Sequence, residues 1–216
     1  DTIVFTSVHD DTHGGDTNNN DDATTSTPGD WNSLKFTESS FGSELDHVIV
    51  RYGGYYRSYY NIRHASVWLE GVPVPISNSV IERADGSSYA LHITDASPSI
   101  TNVTVRDSGY RAVYLENANP TIMDSVIDGN SGHGIYGASS NPTIRNSTIS
   151  DNEYGIYLYN TALPYPVIEA NTFANNTGYA ARIDSEAVRG LGANTAVGSV
   201  GNAFWVRGGT LTEIGR

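Results

Sequence analysis

The residues best suited to chemistry crowd the start of the chain, where oxygen-bearing side chains follow one another with almost no apolar residue between Asp10 and Gly29. Within that stretch, Asp16-Thr17-Asn18-Asn19-Asn20-Asp21 follows the D-x-[DN]-x-[DN] alternation by which calcium loops gather side-chain oxygens around one hard cation. The candidate ligands for Ca2+ are Asp11, Asp16, Asn18, Asn20 and Asp22. Two positions depart from the full pattern: Asp21 replaces the turn glycine, and Thr27 stands where a bidentate glutamate would close the shell. Residues 1–46 hold ten of the 24 acids against one base, Lys35, so most of the net charge of −12 belongs to this segment. Like charges packed so densely either gather a cation or form a solvated loop, and both readings are open. His9 and His13 are four apart, but no helix is expected to place them on one face for zinc.

A second set of candidates is aromatic. Short alternating strands of the G-I-Y-L kind put their outer residue at Trp68, His92, Tyr114, Tyr136, Tyr157 and Arg182 in turn. Rings repeated about 4.8 Å apart make a strip on which sugars can stack, or else a ladder that only stabilises a sheet. The segment RYGGYYRSYYNIRH, residues 51–64, adds Tyr55, Tyr56, Arg57, Tyr59 and Tyr60 in an insertion. Tyrosine with arginine is a frequent recognition composition, the alternative being a loop folded back on its own rings. The candidate carbohydrate-binding residues are therefore Tyr55, Tyr56, Arg57, Tyr59, Tyr60, Trp68, Tyr114, Tyr136 and Tyr157. No catalytic set stands out. His133, within Gly132-His133-Gly134, is read as a turn residue, because no acidic partner set surrounds it in the repeat.

What positions these residues is an internal repeat. Pro98, Pro120 and Pro142 recur at intervals of 22 residues. Ile76, Ile100, Ile122, Ile144 and Ile168 step by 22 to 24, and Ile81, Val105, Ile127, Ile149 and Phe173 keep the same steps. Leu91, Val113, Ile135, Ile156 and Ala181 form a third column, extended upstream through Val67 and Leu34. A repeat of this length without helical period is the signature of a β-solenoid, in which each coil stacks on the next. The expected fold is all-β: a right-handed parallel β-helix of about seven coils, one domain over residues 1–216. An acidic insertion (7–30) and a Tyr/Arg-rich insertion (51–64) interrupt it. Asn78, Asn102, Asp124 and Asn146, and separately Ser108, Asn130, Asn152 and Asn176, are expected as structural turn ladders. Composition sets limits. No Cys means no disulfide framework and no thiolate chemistry. The acidic balance argues against nucleic acid as a partner, and no apolar run approaches the ~18 residues of a membrane span.

The repeats, as in NPTIRNSTISDNEYGIYL, resemble the pectate-lyase-like β-helix superfamily over residues from about Leu45 to Ile183. The Gly-His-Gly triplet resembles that of the polygalacturonases, but the NTD and RIK motifs that accompany it there are missing. The segment from Ile3 to Phe36 and the following LDHVIVRYGG are similar to β-helix segments of large secreted or surface-attached bacterial proteins. There an FTS strand leads into an acidic loop, often reading DTNGDG, and a GDW strand resumes the helix. That resemblance implies an extracellular or cell-surface location and a piece of a longer protein. The start at Asp1 and the uncapped ends fit the same expectation. The leading functional expectation is a non-enzymatic module, stalk or adhesive surface, stabilised by calcium and contacting a polysaccharide or surface glycan. The rivals are a polysaccharide lyase or hydrolase, and a filament subunit whose coils stack end to end.

Overall fold

A computed structural model describes residues 2–21, 23–57, 59 and 62–209. Its chain winds into a parallel β-solenoid whose coils share two long sheets. The first sheet holds twelve strands among the described residues and is bent along its length. Its longest members, Ile76–Glu82 and Ser99–Arg106, cross the bend, while later coils split there into pairs such as Thr121–Met123 and Val126–Asp128. The second sheet runs through eight strands: Leu34–Phe36, Ala65–Glu70, Tyr89–Thr94, Arg111–Glu116, Ile135–Ala138, Ile156–Tyr159, Ala181–Asp184 and Phe204–Arg207.

The apolar columns are stacked in register. Ile76 pairs with Ile100, Ile100 with Ile122, Ile122 with Ile144 and Ile144 with Ile168. Ile81, Val105, Ile127, Ile149 and Phe173 do the same beyond the bend, and Leu91, Val113, Ile135, Ile156 and Ala181 on the second sheet. All of these are buried, so each aliphatic side chain removed from water contributes about 1.5–3 kcal/mol. Polar ladders lie inside as well. Asn130 Nδ2 donates to Asn152 Oδ1 at 2.9 Å, and Asn152 Nδ2 to Asn176 Oδ1 at 3.3 Å. Each also donates to a carbonyl of the preceding coil, which is what makes a buried amide tolerable there.

Corners are made by left-handed residues. At the bend of the first sheet these are His47, Asn78, Asn102, Asp124, Asn146 and Ala170, with φ between 49° and 57°. Asn and Asp tolerate this region, and the Asn102 amide donates to Asn78 Oδ1 at 2.8 Å, as the expected ladder requires. Ala170 has neither a tolerant backbone nor a ladder amide. Replacing Ala170 with Asn is expected to stabilise the fold by about 1 kcal/mol. The check is a rise in the urea midpoint at constant slope; an unchanged or lowered midpoint would show that the corner column carries no such strain.

Candidate functional site

The acidic insertion is rooted by charge. The first-sheet register stacks Arg51 on Glu82 and Glu82 on Arg106, giving a ladder of alternating sign. Arg51 Nε lies 3.3 Å from Glu82, and its Nη1 reaches across to Asp10 at 3.6 Å. Asp10 is buried, yet the hydroxyls of Thr12 and Thr6 and the charge of Arg51 hold its carboxyl below the usual range against that burial. Asp30 is similarly held by Ser7 and Thr27. Tyr52 stands at a left-handed corner with φ 64°, followed one coil later by Arg83 at 54°. Both positions fall to Asp, Asn or Gly in later coils: Asp107, Gly129, Asp151, Asn175 and Gly198. Burial pushes the Tyr52 phenol up, but hydrogen bonds with Ser26 and Arg83 and the nearby Arg51 charge bring it below its ordinary range. An open cleft of about 290 Å³ lies here, bordered by Asp10, Asp11, Thr24, Arg51, Tyr52 and Arg83.

The calcium candidates fall into two groups. Asp11 lines that cleft. Asp16 instead closes a turn farther out, its two carboxylate oxygens accepting the backbone N–H groups of Asn20 and Asp21 at 3.0 and 3.1 Å. Those bonds hold its pKa below the usual value. Asn18 and Asn20 both donate from Nδ2 to Thr24, which leaves their Oδ1 atoms covered from solvent and accepting no hydrogen bond. Asp22 lies outside the described residues. Among the described residues no group of three or more Asp, Glu or His side chains could hold a metal ion. What the loop offers a cation is thus mainly amide oxygen.

The aromatic candidates converge on the outer face of the second sheet. Trp68 stacks on His92 with centroids 5.1 Å apart, His92 on Tyr114 at 4.7 Å, and Tyr136 on Tyr157 at 5.1 Å. Tyr114 and Tyr136, 5.8 Å apart and tilted, join the two runs. Cations cover the column: Lys35 over Trp68, Arg111 over Tyr136, and Arg182 over both Tyr157 and Trp205. The rings are accordingly half-buried rather than bare, and His92 is buried.

Several members of this face escaped the sequence reading. Tyr89, at the start of its strand, and Tyr110, His133, Tyr154 and Tyr179, just before theirs, lay a second row of rings beside the first. His133, taken above for a plain turn residue, stacks on Tyr157 at 11° and meets Glu153 at 2.9 Å. The available signal was a small residue, then Gly, then a ring: Ser108-Gly109-Tyr110, Ser131-Gly132-His133 and Thr177-Gly178-Tyr179. At Gly132 the turns nest so tightly that a Cβ would collide with the Tyr110 carbonyl.

The Tyr/Arg insertion reaches the same face. It is not a plain loop but contains a short antiparallel hairpin, Tyr56–Arg57 against Ile62–Arg63. Arg63 packs on Tyr56 and on Tyr110 and bonds the Ser87 carbonyl at 2.8 Å, which ties the insertion to the second ring row. Tyr59 is 89% exposed and Tyr55 42%, and Arg57 is also exposed. Tyr60 lies outside the described residues. Of the acids bordering the face, Glu70 pairs with Lys35, while Glu116 and Glu153 lie beside the imidazoles of His92 and His133.

These stacked, in-register coils place the chain in a known class. The family described as right handed beta helix region matches residues 61–214, and the chain belongs to it. No curated protein and no solved structure matches it. The matched span carries the aromatic face, whereas the acidic insertion precedes it. Membership defines the architecture, and activity has to be argued from the surface. No helix among the described residues is long and apolar enough to cross a membrane.

His92 gives this face a pH signature. Burial drives its imidazole down to about 4, the Glu70 carboxylate opposing and Lys35 assisting. The unfolded chain takes up the proton near pH 6.5, the folded one only near 4, so stability present above 6.5 is lost as pH falls through that interval. Between pH 7 and 4.5 the native chain should lose roughly 2–3 kcal/mol more than His92→Tyr, which keeps a ring in the column. Urea unfolding at the two pH values measures this, and parallel losses would show that His92 is not buried neutral.

Proposed function

We propose that this chain is a non-enzymatic extracellular β-helix module, a rigid stalk whose second sheet presents an adhesive, carbohydrate-contacting surface. The carrying observation is the continuous run of rings from Trp68 through Tyr157, joined at one side by the Tyr56–Arg63 hairpin. Parallel rings held by a rigid backbone present flat apolar area at little entropic cost, and the bordering phenol and guanidinium groups supply donors for hydroxyls. Glu70, Glu116 and Glu153 each lie against a different side chain, Lys35, His92 and His133, which supports a surface rather than a pair of converging carboxylates. Affinity electrophoresis against a panel of polysaccharides tests the reading. Tyr136→Ala with Tyr157→Ala should retard binding at least tenfold, about 1.4 kcal/mol. If no polysaccharide slows the native chain, the column is a stabilising ladder only.

The acidic insertion is proposed to take up Ca2+ as a stabilising ion. The support is the pair of covered carbonyl oxygens on Asn18 and Asn20, which a hard cation would satisfy, beside a surplus of acidic charge. Calcium should raise the melting temperature and chelator should reverse the rise, with Asn18→Ala plus Asn20→Ala abolishing the response. A melting temperature indifferent to calcium and chelator would eliminate the ion.

A further inference from the structure

Regular coils pass from the second sheet to the first through four-residue turns, 95–98, 117–120 and 139–142. These turns nest. Asn117 N–H donates to the Ala138 carbonyl at 3.1 Å, Ala118 N–H to Ser140 Oγ at 3.0 Å, and Asn141 N–H to Asn119 Oδ1 at 2.7 Å. The first two coils make the same passage with longer turns, eight residues in 37–44 and five in 71–75. The longer one bonds within itself: Phe41 N–H donates to the Glu38 carbonyl at 3.3 Å and Ser43 N–H to that of Ser40 at 3.1 Å, while Thr37 and Ser40 cap each other. It stands off the turn beside it, and a groove opens between the two.

One stretch of the groove, about 460 Å³, is bordered by Glu38, Glu70 and Asp95. The next, about 260 Å³, lies between Phe41, Glu44 and the wall from Val72 to Pro75. Val72 and Val74 are buried beneath, whereas Pro73 and Pro75 are exposed and Phe41 is 84% exposed. The prolines bring no N–H, so contact on that wall is made by side-chain packing. The hydrogen-bonded turn already holds the Phe41 ring outward, so little ordering is left for a partner to impose. Charge narrows the choice of partner. Glu70 is taken by Lys35, but Glu38, Glu44 and Asp95 have no ion pair among the described residues. They add to a segment, residues 1–46, with ten acids and one base. Such a field draws in a cationic partner and opposes a second copy, which would bring like charge to the groove.

We propose that this groove docks an extended cationic segment of a partner protein. An apolar side chain of that segment packs on Phe41 against Pro73 and Pro75, and flanking Lys or Arg side chains meet Glu38 and Asp95 at one end and Glu44 at the other. The surface does not depend on the carbohydrate reading. The test is fluorescence anisotropy with three labelled peptides, Arg-Leu-Arg-Leu-Arg, Arg-Ser-Arg-Ser-Arg and Glu-Leu-Glu-Leu-Glu, on the native chain and on variants whose thermal melts match it. The first peptide should bind the native chain at least about tenfold more tightly than either of the others. Phe41→Ser should weaken it at least about fivefold. Glu38→Gln with Asp95→Asn should do the same and flatten the salt dependence, Asn being suited to the left-handed backbone at position 95. Asp107→Asn with Asp151→Asn removes as much charge outside the groove and should leave affinity within about twofold. If that control pair weakens binding as much as the groove pair, the attraction is only the general charge of the chain and the docking site is wrong. It is equally wrong if Phe41→Ser binds like the native chain or if no peptide binds. A native dimer in sedimentation that Phe41→Ser dissolves, without peptide binding, would assign the groove to a second copy instead.

Discussion

Backbone hydrogen bonds between successive coils hold each residue over its counterpart one coil earlier, as Ile127 lies over Val105 and Ile149 over Ile127. With that register set, whatever a position does in one coil it must do about 4.8 Å away in the next. Aliphatic residues then become a core column and amides become a buried ladder. Left-handed corners line up, and rings on the outer face become a stack. Departures from the repeat can leave only at corners, where one coil ends and the next has not begun pairing. The acidic insertion and the Tyr56–Arg63 hairpin both depart from such places.

The corner at Tyr52 and Arg83 shows what attaching an insertion requires. A left-handed residue with a Cβ costs about 1–2 kcal/mol, and later coils avoid most of this with Asp, Asn or Gly. Tyr52 and Arg83 accept the strain, and their side chains hydrogen-bond to each other. Arg51 adds a bond to the same phenol at 3.1 Å while bridging Asp10 and Glu82. The exceptions to the repeat are thus the residues that fasten its non-repeating part. A buried Asp10 that would be costly alone is matched by a buried arginine already fixed by the coil beneath.

Periodicity explains which features were readable beforehand. The columns through Ile100, Ile127 and Ile135 follow from spacing, because the register converts a one-dimensional interval directly into contact. Tyr114, Tyr136 and Tyr157 follow from the same interval plus alternation along the strand. Tyr110, His133, Tyr154 and Tyr179 were hidden because they sit in turns whose length varies from coil to coil, so their intervals of 23, 21 and 25 residues obscure one spatial row. The hairpin at Tyr56–Arg63 was unreadable for a related reason. Its antiparallel pairing is local, and its attachment to Tyr110 depends on a distant side chain. In the acidic insertion the alternation of oxygens was legible, but the turn closed by Asp16 was not, since backbone N–H groups compete for the same carboxylate.

The first sheet provides an internal control for the meaning of the ring column. Its outer face repeats Thr104, Val126, Thr148, Thr172 and Thr195 in register, small β-branched side chains that suit a pleated surface. The same solenoid therefore maintains a long parallel sheet without any aromatic ladder on that side. Cross-strand ring contacts on the second sheet add stability, about 0.2–1 kcal/mol per pair, but the fold does not depend on them for its pairing. Nor does sheet stability account for Arg111 and Arg182, which are set on those rings with no ion pair among the described residues, or for their covered Nε donors. Unpaired charge and unsatisfied donors are a cost to the isolated chain. The proposed carbohydrate-contacting surface would give those donors acceptors and those rings an apolar face to meet.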